Sequence, residues 1–356
     1  MTLIQRLPHS VKLDHGAPLE NVDIAYCCYG TLNTNRDNAV WLCHGLTSNQ
    51  HAGPSGSRSG WWEALIGPGR PLDTNRWCII CSNVLGGDSG STGPSTPHPN
   101  DETPYATRLP ILTIADMVRA QRALLDCLGI RQLAALIGGC MGGFQGLEWL
   151  RQAPEQVPRS LLISTTIASS PMTIAMWAMI RQLIMTDPHW QDGDYYAEAT
   201  GPDQGMGLGA ALGSLFWLGS EGMENRFGRN ISAPDQPVSF ASHFAVEQFL
   251  EGIISRRAGG MDPNSLLYLT RAMDLFDLNN AITRPAGHIE LASYRRDWRY
   301  PPEKVDALKN QLEQAGSDVT HHVLESQVTH GAYIFEPETI APIIERLLSS
   351  ASHRAP

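Results

Sequence analysis

Leu133-Ala134-Ala135-Leu136-Ile137-Gly138-Gly139-Cys140-Met141-Gly142-Gly143-Phe144 runs from an unbroken apolar stretch, through glycines, into residues with helical character. A short apolar run closed by glycine reads as a buried strand, here 133–137, and 141–150 reads as a helix. Gly138-Gly139-Cys140-Met141-Gly142 is therefore a strand-to-helix turn with a cysteine at its tip. Such a turn holds its central residue in a strained backbone conformation, and the flanking glycines let neighbouring segments pass close. The helix that follows stabilises a thiolate at its N-terminus, and the Met141 amide can donate to a developing oxyanion. These are the properties of a nucleophile elbow, with cysteine where serine is usual.

Outward from this turn, further strands are expected at 39–43, 77–82, 160–164, 288–293 and 319–324. Between them 114–128 has apolar residues at helical spacing, closed by Gly129. Strands alternating with helices indicate an α/β class protein with a mostly parallel sheet wrapped by helices. From 166 to 283 the pattern turns Met-rich, Trp-rich and helical without strand signals. The expectation is a core of residues 1–165 and 284–356 interrupted by a helical lid, 166–283, which Gly201-Pro202 and Gly259-Gly260 break into several helices. Met172, Met176, Met179 and Met185 recur at helical spacing, as core packing or as the lining of a substrate channel.

Composition sets the outer limits. A chain of 356 residues, 42% hydrophobic and 17% charged, can bury a substantial core. Its 36 acidic against 26 basic residues give a formal net charge of -10, which argues against nucleic acid as a partner. No stretch approaches the roughly 20 apolar residues of a membrane helix, and the first residues lack a secretory pattern, so no membrane association is expected. Seven cysteines, two of them adjacent, suit a reducing cytoplasm better than a disulfide framework. Cys78 and Cys81 have metal-ligand spacing but fall on an expected strand, where residues three apart face opposite ways, so no metal site is expected.

A nucleophile at an elbow needs a base, an acid and a second oxyanion donor. In this architecture the order is nucleophile, acid, base, each on a loop at the carboxyl end of a core strand. Asp297 follows the expected strand 288–293, and His330 follows 319–324; Asp277 and Glu325 are alternatives for the acid. His44-Gly45-Leu46-Thr47 follows 39–43, making the Leu46 amide the second donor and His44 structural.

The chain closely resembles the homoserine O-acetyltransferases and their serine- and succinyl-transferring relatives. The resemblance rests on His44-Gly45-Leu46-Thr47, Gly60-Trp61-Trp62, Leu65-Ile66-Gly67-Pro68-Gly69-Arg70-Pro71, Ser82-Asn83-Val84-Leu85-Gly86-Gly87, Gly90-Ser91-Thr92-Gly93-Pro94 and Asp116-Met117-Val118-Arg119-Ala120-Gln121. It continues through Leu147-Glu148-Trp149, Asp187-Pro188, Gly193-Asp194-Tyr195-Tyr196 and Asp297-Trp298 before Pro301-Pro302. It implies an α/β-hydrolase fold with an inserted helical lid, and a homodimer packed through lid helices. It also implies ping-pong acyl transfer, in which the nucleophile takes an acyl group from acyl-CoA as co-substrate and passes it to an acceptor. Carried over by position, the triad is Cys140, Asp297 and His330, with the amides of Leu46 and Met141 as oxyanion donors.

Three positions depart from what the resemblance implies. An acid for the acceptor's ammonium group is expected after the catalytic histidine, where this chain has Gly331. Alignment through Gly205-Met206-Gly207-Leu208 puts Ala210 where an arginine for the acceptor's carboxylate is expected, and Trp217 where a tyrosine is expected. Arg181, Arg226 and Arg271 are candidates to replace that cation. A zwitterion loses its binding when its charged partners are removed from a desolvated pocket. The expected function is therefore acyl transfer from acyl-CoA or an acyl carrier protein, through a thioester on Cys140, to a small molecule other than homoserine. Hydrolysis by the same triad, homoserine or serine O-acyl transfer proper, and a non-catalytic binding protein are the alternatives.

Overall fold

The computed structural model describes residues 1–56, 59–232, 234–235, 237–256, 260–279, 281–326 and 328–349. The strands are β1 (Leu3–Arg6), β2 (Asp23–Tyr29), β3 (Ala39–Cys43), the short β4 (Ile66–Gly67) and β5 (Leu72–Asp73), and β6 (Cys78–Ser82). They continue with β7 (Ala135–Gly139), β8 (Arg159–Ile163), β9 (His288–Tyr294) and β10 (Val319–Leu324). Eight of them form one sheet in the order β1-β2-β6-β3-β7-β8-β9-β10; β4 and β5 pair separately. The pairings from β6 to β10 are parallel, and β1 and β2 add antiparallel to one edge. The fold is that of an α/β hydrolase.

The helices are α1 (Ile114–Cys127), α2 (Met141–Gln152), α3 (Pro171–Met185), α4 (Asp203–Phe227), α5 (Ala245–Ser255), α6 (Pro263–Leu275), α7 (Pro302–Gln314), α8 (Ala332–Phe335) and α9 (Ala341–Ser349). Every residue of β3, β6 and β7 is buried, the mark of central parallel strands covered on both faces. α2 packs on β3, β7 and β8, α9 on β8, and α7 on β9 and β10. α1 starts with a capping box: Thr113 Oγ1 accepts from the Asp116 amide at 3.2 Å, and Asp116 Oδ2 accepts from the Thr113 amide at 2.8 Å. No helix among the described residues is long and apolar enough to cross a membrane.

Two features differ from the sequence expectation. The edge strands β1 and β2 were not anticipated, because Asp23–Tyr29 carries Cys27-Cys28, a pair that draws attention as thiols before it reads as half of an alternating strand. The strand leading to the turn also runs two residues later than 133–137. Gly138 pairs with Cys43 and Gly139 with Ile163, so both glycines belong to the sheet.

Between β8 and β9 the described residues carry α3, α4, α5 and α6, with α4 packed against α3 and α5 and α3 against α6. Gly259, half of the expected Gly259-Gly260 break, lies outside the described residues. Within α4, Gly219 leaves helical geometry at φ 66°, ψ 176°. Just before that break, the carbonyls of Phe216 and Trp217 accept from outside the helix, from Trp298 Nε1 at 2.6 Å and from Thr329 Oγ1. Trp298 follows Asp297 and Thr329 precedes His330, so one kinked helix is tied to both loops on which Asp297 and His330 stand.

Candidate active site

Cys140 stands between β7 and α2 at φ 56°, ψ −119°, a conformation that side-chain-bearing residues seldom adopt. Its amide donates to the Ile163 carbonyl at 3.0 Å, and its carbonyl accepts from Gly143 at 2.9 Å, so the strain is held from both sides. The flanking glycines are needed for space: a β-carbon on Gly138 would stand 2.2 Å from the Gly142 carbonyl oxygen, and one on Gly142 would stand 2.0 Å from that of Cys43.

Asp297 and His330 meet at this turn. Asp297 is fully buried, and its Oδ1 accepts from the amides of Arg299 (3.0 Å) and Tyr300 (3.2 Å). Its Oδ2 lies 3.0 Å from His330 Nδ1, and the His330 imidazole is close enough to Cys140 to act on its thiol. Burial raises the Cys140 pKa, but the charge of His330 and its hydrogen bond outweigh burial and bring it from 9.0 down to about 7. For His330, burial acts downward and Asp297 upward, and the net effect is a rise from 6.5 to about 9. The thiolate–imidazolium pair is therefore the prevailing ground state between about pH 7 and 9. Tyr300 Oη lies 4.0 Å from Cys140 Sγ, and the Tyr300 and His330 rings are 5.2 Å apart.

Of the two oxyanion donors expected from sequence, Met141 adjoins Cys140 and the loop carrying Leu46 passes nearby. Met141 supplies the first amide of α2 and hydrogen-bonds Cys140 through it. The loop carrying Leu46 passes so close that a β-carbon on Gly45 would stand 4.0 Å from that of Cys140. This loop is fixed by a chain of buried amides: Trp149 Nε1 donates to Gln121 (2.9 Å), Gln121 to Gln145 (2.7 Å), and Gln145 to the His44 carbonyl (3.1 Å). The His44 side chain accepts from the Val84 amide at 3.2 Å and donates to the Gly45 carbonyl at 2.8 Å. Burial lowers its pKa to about 4, so it stays neutral and serves the loop.

A cavity of about 740 Å³ lies between the core and helices α3, α4, α5 and α6, its wall including Leu46, Trp177, Ala210, Trp217, Arg226 and Arg299. Met176 lines it as well, whereas Met172 and Met179 are exposed and Met185 is half-buried. Two of the substrate-site expectations, Ala210 and Trp217, stand on this wall. Arg181 does not: its guanidinium is buried against Asp274 Oδ2 at 2.6 Å and Thr270 Oγ1 at 3.2 Å, which corrects its assignment to substrate. The alternative acids are also elsewhere, Asp277 exposed and Glu325 paired with Arg295.

At Gly331 the backbone is ordinary, φ −88°, ψ 4°. Side-chain space is what it lacks, because a β-carbon would stand 2.8 Å from the Phe335 ring and 2.9 Å from the Trp217 ring. The volume in which the resemblance implies a carboxylate is thus occupied by two aromatic rings, packed edge to face at 5.1 Å.

Three neighbours of the sulfur, Arg299, Tyr300 and Tyr333, were not foreseen from sequence. Arg299 is one of three arginines in Arg295-Arg296-Asp297-Trp298-Arg299 that sequence alone cannot rank by direction. Tyr333 follows the histidine by one short turn, and its hydroxyl would lie 3.0 Å from a β-carbon on Gly45.

Comparison with known proteins agrees with the fold. A family described as "alpha/beta hydrolase fold" matches residues 38–297. The homoserine O-acetyltransferase of Pelobacter propionicus is 38% identical, covering 96% of this chain and 94% of its own. Among solved structures, esterase E22 superposes with a TM-score of 0.88 at 26% identity, covering 98% of this chain and 99% of its own. The homoserine O-acetyltransferase of Bacillus anthracis has the same TM-score at 25% identity, covering 98% and 96%.

Proposed function

Since this chain belongs to the homoserine O-acetyltransferase family of α/β-hydrolase-fold acyltransferases, we propose that it works through a thioester on Cys140 and delivers the acyl group to a small molecule other than homoserine. The observation that carries the chemistry is the line Cys140–His330–Asp297 with its lowered thiol. The donor is an acyl-CoA or an acyl carrier protein. The Cys140 thiolate adds to the donor's carbonyl carbon, and the amides of Leu46 and Met141 receive the developing oxyanion. Collapse breaks the carbon–sulfur bond of the donor, and its thiolate takes the proton from His330. His330, now neutral, removes a proton from the acceptor as it attacks the Cys140 thioester, and Cys140 leaves as thiolate. One thioester replaces another in the first half, so loading is close to isoenergetic. The second half runs downhill toward an ester or amide.

The crowding of Gly331 by Trp217 and Phe335 supports an acceptor without an ammonium group held beside His330. The names of the relatives favour the other choice, homoserine itself, and on names alone that reading stands ahead. Hydrolysis is a further reading, supported by the likeness to an esterase. One experiment separates the three. Purified protein is mixed with acetyl-, propionyl- or succinyl-CoA without acceptor and followed by intact mass and CoA release. A lasting adduct that disappears in Cys140→Ala supports transfer; rapid CoA release with no adduct supports hydrolysis. With homoserine then added, homoserine-dependent CoA release at ordinary substrate concentrations replaces our acceptor with homoserine.

We also propose a cytoplasmic homodimer. The free state of all seven cysteines supports the reducing setting. Exposed Met172 and Met179 on α3 and Leu215 on α4 give the lid an apolar surface suited to a second copy. A monomer mass in light scattering at micromolar concentration removes the dimer.

A further inference from the structure

Arg299 is only 4% exposed, yet its Nε and Nη2 have no hydrogen-bond partner. Leaving a buried guanidinium edge unpaired is costly, because water is removed and nothing replaces it. The faces of the group are covered: its central carbon lies 5.2 Å from the Trp177 ring centroid and 5.5 Å from that of Tyr300. Its edge is not. Nε and Nη2 lie on one edge of the guanidinium, in its plane, the spacing that receives both oxygens of one carboxylate.

The residue is also held in place. Its backbone amide donates to Asp297 Oδ1, Tyr300 beside it reaches toward Cys140, and its side chain stands on the cavity wall with Trp177 and Leu46. We infer that Arg299 is a specificity-determining residue for the reaction, a subsite that pairs through Nε and Nη2 with a carboxylate of the substrate next to the Cys140 thioester. The inference deepens the acyl-transfer reading and takes its meaning from it. The carboxylate belongs either to a dicarboxylic acyl chain such as succinyl or to the acceptor.

The first test does not require turnover. Alkylation of Cys140 by iodoacetamide is followed in wild type, Arg299→Leu and Arg299→Lys, with butyrate against butyramide and succinate against succinamide as protectants. Comparing acid with amide inside each variant cancels any change in the thiol's own reactivity. The expected result is half-protection by the acids at concentrations at least tenfold below the amides in wild type. That preference should vanish in Arg299→Leu and weaken in Arg299→Lys, which keeps the charge without the fork. Equal protection by acid and amide in wild type, or an unchanged preference in Arg299→Leu, overturns the subsite.

The second test assigns the source. Faster loading of succinyl- than butyryl-CoA, lost in Arg299→Leu, places the carboxylate on the acyl group. Equal loading, with discharge tenfold slower in Arg299→Leu only for acceptors bearing a carboxylate, places it on the acceptor. An enzyme that loads and discharges with no carboxylate effect in either half overturns the subsite as well. Failure of wild type to load any thioester removes the acyl-transfer reading, while the protection result still decides the subsite.

Discussion

Nδ1 of His330 lies 3.0 Å from Oδ2 of Asp297, and the amides of Arg299 and Tyr300 occupy the other carboxylate oxygen. The carboxylate is therefore fully engaged in orienting the imidazole. This arrangement fixes the sense of the pH dependence. The Cys140 thiol titrates near 7 and its imidazole partner near 9, so the thiolate–imidazolium pair predominates between those values. Alkylation of Cys140 should reach half its maximal rate near pH 7, where an ordinary thiol would do so near 9. In His330→Ala the midpoint should move upward, because burial remains and the largest opposing charge is gone, leaving only Arg299 and the Met141 amide to favour the thiolate. Asp297→Asn should move it in the same direction by less and lower the rate of acyl transfer about 10²- to 10⁴-fold, the usual worth of a positioned acid–base group. An alkylation midpoint still near 7 in His330→Ala would show that the thiol is tuned by something else.

Strain at the elbow gives a second prediction. Replacing alanine by glycine usually costs stability of roughly 0.5–1 kcal/mol through the entropy of the unfolded chain. At φ 56°, ψ −119° the ordering should invert, since a β-carbon is unfavourable there by about 1–3 kcal/mol. Cys140→Gly should be at least as stable as Cys140→Ala in urea denaturation, with both lacking the acyl adduct. A midpoint for Cys140→Gly clearly below that of Cys140→Ala would mean that the turn relaxes when its cysteine is lost.

The meeting of Cys140, Asp297 and His330 was legible because each combines residue type, strand and chain order. Cys140, Asp297 and His330 each follow a strand whose apolar run stands out. The unforeseen residues lack such a signal. Arg299 differs from Arg295 and Arg296 only in the direction its side chain takes, outward to Glu325 and Glu221 for those two and inward for Arg299, and that is set by the tight turn in which Asp297 Oδ1 collects two amides. Arg181 misled for the same reason in reverse. Its partner Asp274 is on another helix, 93 residues away, and no local pattern announces the pair. The register of β7 was misjudged because glycine normally closes a strand, whereas here Gly138 and Gly139 continue it to keep the space above the sheet clear.

Trp217 and Gly331 give the third prediction. Gly331→Asp needs no unusual backbone, so its cost is one of overpacking: the new β-carbon displaces the Trp217 or Phe335 ring, at about 1–3 kcal/mol. Trp217→Ala opens the space, and the double variant should recover most of the stability lost by Gly331→Asp, measured as a double-mutant cycle in urea. Additive effects would show that the two positions do not compete for volume.

The fourth prediction concerns Arg181 and Asp274. Both side chains are almost wholly buried, and the Arg181 guanidinium also donates to Thr270, so the pair joins α3 to α6 inside the lid. Removing one member of a buried pair strands the other charge, at about 3–5 kcal/mol, whereas replacing both by apolar residues of similar size can be close to neutral. Arg181→Met should therefore lower stability strongly, and Arg181→Met with Asp274→Leu should restore most of it. Because Arg181 is off the cavity wall, the double variant should load Cys140 from acyl-CoA at close to the wild-type rate. Its loading would fall tenfold or more, with the lid still folded, if Arg181 were holding substrate, and that result would return the residue to the site from which its pairing with Asp274 removes it.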